Sequence, residues 1–288
     1  ALKSLNPEAQ IYFTTDGSKP TLKSNVYTRK IGITEPLILK ASIIDQNKVI
    51  SFSESRFYFP KSPQIKTTEG IFYKNKKIEI IKTENEAQIY YTLDKSEPDE
   101  KSQVYSKPIE IVESSTLKAK FIWKSGYGSK VGEARFVRPE PRQSVALKSA
   151  SNGLDYKVYY GSWILCPDFN TMKSITSGKI SNFDITAIQP REDEFGIQFQ
   201  GYINVPREGL YTFYTSSNDG SKLFIGNELV VDNDGSHAVI ERQGQIVLKV
   251  GYHPIKLMYF ESGGSQELKV NYKGPGIDKQ EIPPQLFK

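Results

Sequence analysis

Residues 11–27 read IYFTTDGSKPTLKSNVY and residues 89–105 read IYYTLDKSEPDEKSQVY. Ile, Tyr, Thr, Asp, Ser, Pro, Lys, Ser, Val and Tyr recur in register, and Asp16 answers to Asp94 at an offset of 78 residues (94 − 16) that also joins Pro20 to Pro98 and Tyr27 to Tyr105. A period of that length is a small domain, longer than a solenoid unit. Within each copy, an alternating apolar segment (AQIYFTT, AQIYYTL) runs into a polar turn and is followed by a second alternating segment (LILKASII, STLKAKFIW). That is the period-two pattern of strands separated by turns. Asp16 and Asp94 each open the turn, where a short carboxylate caps backbone N–H groups.

The 288 residues exceed one typical domain, and 17 Tyr and 15 Phe favour strands, so the expected fold class is all-β. The net charge of +5 comes from interspersed charges with no basic stripe, which argues against nucleic acid as a partner. No apolar run approaches the ~18 residues of a membrane span, so no membrane insertion is expected. Cys166 is the only cysteine, which excludes an internal disulfide and a thiolate metal cluster. In SWILCPDF it reads as a small core residue.

The second copy carries PQIKTTEGIFYKNKKIEI (63–80) ahead of the shared phrase, whereas only ALKSLNPE stands before Ala9 in the first. A leading strand is thus expected to be missing from the first copy, leaving an unpaired edge, with the completing part upstream in a longer polypeptide. The phrases YFTTDGSKPT and LILKASI resemble the chitobiase/β-hexosaminidase C-terminal domain, from which the second copy departs with Lys95 for Gly and Asp99 for Thr. The resemblance implies two small immunoglobulin-like β-sandwiches, at 1–60 (N-terminally truncated) and 61–138, with no catalytic residues. It also implies the company of the catalytic domain of a secreted bacterial glycoside hydrolase.

Residues 139–152 mix Pro, Arg, Ser and Gly without periodicity and read as a linker. Beyond them, 153–288 hold seven alternating segments with turn residues between, the pattern of a larger antiparallel β-sandwich. Gly226 and Asn227 suit a two-residue hairpin, and Gly263 and Gly264 suit another tight reversal. YYGSW, GYINVPREGLYTF, SNDGS, DNDGSH and GYHPIKLMYFE together resemble the protective-antigen-type (PA-fourteen) domain, whose members sit in glycosidases, adhesins and toxins. That resemblance implies carbohydrate binding, with calcium at Asp219 beside Asn218. From the polar loops between apolar strands, Asp219, Asp232 and Asp234 are expected to offer sugar or calcium ligands if those loops lie at one end of the sandwich, with His237 beside them as a sugar partner. Asn218 supplies a neutral oxygen where some family adhesins have a second aspartate, which weakens a hard-cation site. Counting Asp232 as a first ligand puts Gln243 where an EF-hand needs Glu, so that motif is excluded.

His237 and His253, the only histidines, lack zinc-pair spacing. Trp163 reads as core, and Trp123 is either a core anchor or a sugar-stacking face. Glu192, Asp193 and Glu194 read as a solvated turn, and no P-loop, nucleophile elbow or H-E-x-x-H occurs. The expectation is therefore a non-catalytic accessory tail of an exported glycoside hydrolase of β-N-acetylhexosaminidase type. Its partners would be a glycan or oligosaccharide and an upstream catalytic domain. A structural spacer and a cell-surface adhesion module are the alternatives, the latter marked by a calcium-dependent pocket.

Overall fold

The computed structural model describes the chain except for residues 34–36, 46–47, 58–59, 125, 148, 150 and 189–190. The end of the first copy, at residues 58–59, and two residues of the expected linker thus lie outside the described residues. Among the described residues there is no α-helix, only two 3-10 turns, Phe169–Thr171 and Pro284–Leu286, so the fold is all-β. No helix among them is long and apolar enough to cross a membrane.

The chain separates into two compact units. The smaller holds Ala1–Thr68, Lys77–Ile109 and Ser115–Arg135. Its repeated phrases build sheets of the same strand order. In the first copy Ile11–Thr14 lies between Asn25–Val26 and Leu37–Asp45, with Lys48–Phe57 beyond. In the second, Ala87–Thr92 lies between Gln103–Val104 and Ser115–Trp123, with Gly132–Val137 beyond. Even the turns superimpose in chemistry. Asp16 Oδ1 accepts from the Ser18 N–H (2.9 Å) and hydroxyl (2.6 Å), and Asp94 Oδ1 accepts from the Ser96 N–H (3.0 Å) and hydroxyl (2.5 Å).

The larger unit comprises Glu69–Lys76, Glu110–Ser114 and Phe136–Lys288. Its body is two antiparallel sheets. One runs Thr176–Ile180, Leu154–Tyr160, Phe195–Val205, Gly251–Glu261, Ser221–Ile225, Glu228–Asn233. The other runs Ile240–Leu248, Gly209–Asn218, Glu267–Gly274, Ile277–Glu281. Alternate residues of both, among them Leu154, Val158, Ile197, Phe199, Tyr211, Phe213, Leu248 and Leu257, form one buried core. Each such side chain contributes about 1.5–3 kcal/mol by leaving water.

Ile225 pairs with Glu228 across Gly226 and Asn227, so the hairpin expected there forms, and Gly226 takes the positive φ (60°) that such a turn requires. The reversal expected at Gly263–Gly264 is a different object. It joins Gly251–Glu261 in the six-stranded sheet to Glu267–Gly274 in the four-stranded one, crossing between layers. Within the expected linker, the Arg142 N–H donates to Val247 O (2.8 Å), the Lys249 N–H to Arg142 O (3.0 Å) and the Val145 N–H to Tyr252 O (2.8 Å). The Arg142 guanidinium lies where a side chain on Gly226 would stand. Tyr73 donates to Glu208 (2.7 Å), whose other oxygen pairs with Lys249 (3.0 Å).

Candidate functional site

Four connections meet at one end of the larger sandwich: residues 163–166, 218–220, 233–237 and 261–265. Asp219 binds them together. Its carboxylate is almost wholly buried, at 4% exposure. Oδ1 accepts from the Ser236 hydroxyl and the His237 N–H, both at 2.9 Å, and Oδ2 accepts from the Ser262 N–H at 2.9 Å. Ser262 in turn donates its hydroxyl to Trp163 O (2.5 Å). The Asn218–Asp219 peptide is cis.

The other residues singled out from the sequence divide in role. Asn218 donates its side-chain amide to the Ser265 hydroxyl (3.2 Å), while its backbone carbonyl accepts from Tyr259 (2.6 Å). Asp234 accepts from the Cys166 N–H (2.7 Å) and the Gly235 N–H (3.0 Å) and pairs with Lys222 (2.5 Å). Burial acts to raise its pKa, but Lys222 and the Cys166 N–H outweigh burial and hold the carboxyl below its ordinary value. Asp232 is exposed and accepts from the Asp234 N–H (3.3 Å). The His237 ring nitrogens face Ala238 O (2.9 Å) and Asn233 O (3.2 Å).

Sequence reasoning missed Tyr259 and Glu261, which lie beneath this network. Glu261 is fully buried, accepts from the Gly263 N–H (2.9 Å) and sits 2.9 Å from the Tyr259 hydroxyl. That hydroxyl has one proton and two oxygen neighbours. It shares that proton between Asn218 O, at 2.6 Å, and the Glu261 carboxyl. Burial, reinforced by the nearby Asp219 charge, pushes the Glu261 carboxyl up to about 7. A carboxylate inside an apolar strand reading PIKLMYFE was the available signal.

The donor set does not fit the calcium ion that the resemblance implies for Asp219. Calcium needs six to eight oxygens. Here three protein donors occupy the Asp219 carboxylate, the Asn218 side chain is engaged through its amide with Ser265, Tyr259 occupies the Asn218 backbone carbonyl, and no cluster of three or more His, Cys, Asp or Glu suited to a metal occurs among the described residues.

The remaining candidates are packing residues. Burial pushes the Cys166 thiol up, with Asp234 adding to the effect, so no reactive thiolate forms. Trp163 packs edge-on to Phe169 (5.8 Å) in a small cluster with Tyr159 and Met258. His253 is buried, with Nε2 2.8 Å from Lys249 O, and burial lowers its pKa. Trp123 packs against Phe121 and Tyr127.

Residues 150–285 match the PA14 domain, and residues 1–53 and 67–133 match the chitobiase/beta-hexosaminidase C-terminal domain. A beta-hexosaminidase of Porphyromonas gingivalis is 27% identical over 186 residues, 62% of this chain and 23% of that protein. The anti-sigma-I factor RsgI3 of Acetivibrio thermocellus is 23% identical over 160 residues, 54% of this chain and 24% of that protein. Among solved structures, a PA14 sugar-binding domain from an RTX adhesin is 16% identical with a TM-score of 0.40, covering 48% of this chain and 99% of its own. The chain spans about a quarter of the length of the curated relatives it matches. In sequence order, then, the chain matches the chitobiase/beta-hexosaminidase C-terminal domain at residues 1–53 and again at 67–133, and the PA14 domain at 150–285.

Proposed function

We propose that this chain is a non-catalytic accessory segment of an exported glycoside hydrolase of β-N-acetylhexosaminidase type, and that its PA14 domain holds the enzyme on an oligosaccharide. The observation that carries the proposal is the joining, in one chain, of a hexosaminidase-associated domain to a PA14 domain, with similarity to part of a beta-hexosaminidase. Tethering gives even a weak sugar site a use, because rebinding becomes intramolecular. The partners are then a glycan and an upstream catalytic domain, and the compartment is outside the cytoplasm. The limits 1–60, 61–138 and 153–288 serve as the proposed domains.

The occupied carboxylates of the loop end favour a second reading for that end of the sandwich, as a structural clamp rather than a sugar contact. A glycan array probed with the full chain, in calcium and again in chelator, tests the proposal. Binding of equal strength in both conditions is expected. Silence in both would overturn the carbohydrate reading and leave the spacer. Binding lost in chelator would overturn the exclusion of calcium.

A further inference from the structure

We propose that the outer face of the six-stranded sheet carries an oligosaccharide groove centred on Gln198 and Gln200, separate from the loop end. The inference rests on the carbohydrate reading above and assigns it to a place in the fold. Two adjoining hollows lie on this domain, of about 420 and 390 Å³, and both are lined by Asp155 and Gln200. The first adds Lys157, Lys179 and Gln198, and the second adds Tyr202 and Lys256.

Strand alternation puts these side chains on one face. Leu154 and Val158, Ile197 and Phe199, and Ile255 and Leu257 all enter the core, so the alternate residues Asp155, Lys157, Gln198, Gln200 and Lys256 lie on the opposite face. The register aligns them. Lys179, Asp155, Gln200 and Lys256 are consecutive cross-strand partners, and so are Ser177, Lys157, Gln198 and Met258. The first row spans three strand spacings of about 4.8 Å, roughly 14 Å, or about two to three pyranose rings, while the second is closed at the buried Met258.

Gln198 points to a ligand. It is 5% exposed, and the one protein contact of its side chain among the described residues is a long one, the Tyr159 hydroxyl 3.5 Å from Oε1. Its NH₂ group has no protein acceptor among the described residues and opens on the groove, where a sugar oxygen can take the place of water as its acceptor. Around it, donors and acceptors alternate. Asp155 pairs with Lys179 (2.8 Å), and Lys157 has no ion pair among the described residues. Tyr202, half-buried on the same face, adds aromatic surface.

Hydroxyl groups both donate and accept, so a polyhydroxylated chain answers such a mixed row at every step, and the unpaired Lys157 adds a seat for a carboxylate.

Calorimetric titration of the full chain with chitohexaose and, separately, with a hyaluronan hexasaccharide distinguishes a neutral from an acidic sugar. At least one is expected to bind. Gln198→Met, which keeps the side-chain volume, should weaken that binding roughly tenfold or more. Gln200→Ala should weaken it roughly threefold or more at unchanged thermal stability. Binding that survives both substitutions but is lost in Asp232→Ala would keep the carbohydrate reading and overturn the groove. Failure of both sugars to bind the unsubstituted chain overturns the groove, while the array decides the wider reading separately.

Discussion

The two copies of the chitobiase/beta-hexosaminidase C-terminal domain share their strand order and their turn chemistry, yet they differ in how much they bury. Ile89 and Phe121, paired across the sheet of the second copy, are 2% and 0% exposed, whereas Ile11 and Ile43 at the same places in the first are only half-buried. The second copy has additional strands. Gln64–Ile65 pairs with Ile80–Ile81, Ile78 and Ile80 are buried, and the Ile80 N–H donates to Tyr105 (3.0 Å). In the first copy the counterpart Tyr27 meets Phe13 edge-on instead, and the outer strand exposes Val49, Ile50 and Phe52. The repeated phrase therefore specifies a sheet and its turn, but a core forms only where a second layer covers it.

If covering sets stability, Phe121→Ala should destabilise the second copy by about 3–5 kcal/mol. Ile43→Ala should cost the first only about 1 kcal/mol, because a half-buried side chain recovers less area. Amide hydrogen exchange over Ser115–Trp123 and Leu37–Asp45 in the full chain measures both, and equal losses would refute the distinction. Next in size, Ile78→Ala should cost about 2–4 kcal/mol and speed exchange across Ala87–Thr92 towards the rate of Ile11–Thr14.

A smaller effect lies in the turns. Gly17 (φ 79°) is replaced by Lys95, which takes φ 74° in the left-handed region. Lys95→Gly should therefore stabilise the second copy by about 1 kcal/mol and Gly17→Lys destabilise the first by a similar amount, read as shifts in melting. Smallest of all, Asp16→Ala and Asp94→Ala should weaken their copies equally. The Ser18 and Ser96 hydroxyls, then their N–H groups, hold these carboxyls below the ordinary value of 3.8. The contribution is present above that value and fades as pH falls through the lowered one. Unequal NMR titration midpoints would show that the turns are not equivalent.

Local alternation and turn residues announced most of the strands, the repeat and the Gly226–Asn227 hairpin, because each depends on neighbours in sequence. Thr176–Ile180 gave no such signal, since its TSGKI is exposed over four of its five residues and interrupted by Gly178. Whether Gly263–Gly264 turns within a sheet or between sheets depends on partners far along the chain. The chemistry of the acidic loop residues was not legible. Asp219 meets donors from residues 236, 237 and 262, and only the fold says that they use up its oxygens.

The buried Glu261 has a thermochemical consequence. Its carboxyl is raised from 4.5 to about 7, so folding takes up a proton between those values, and unfolding releases it. The sign follows: this group's contribution favours the fold fully below about pH 4.5, declines as pH rises, and is lost above about pH 7. In that window the heat of unfolding includes the protonation heat of whichever buffer accepts the proton. His253, whose pKa burial lowers from 6.5, takes up a proton on unfolding in the opposite sense. Scanning calorimetry at pH 6 in buffers of different ionisation heat should therefore show Glu261→Gln shifting the buffer dependence of the enthalpy by the release of up to one proton.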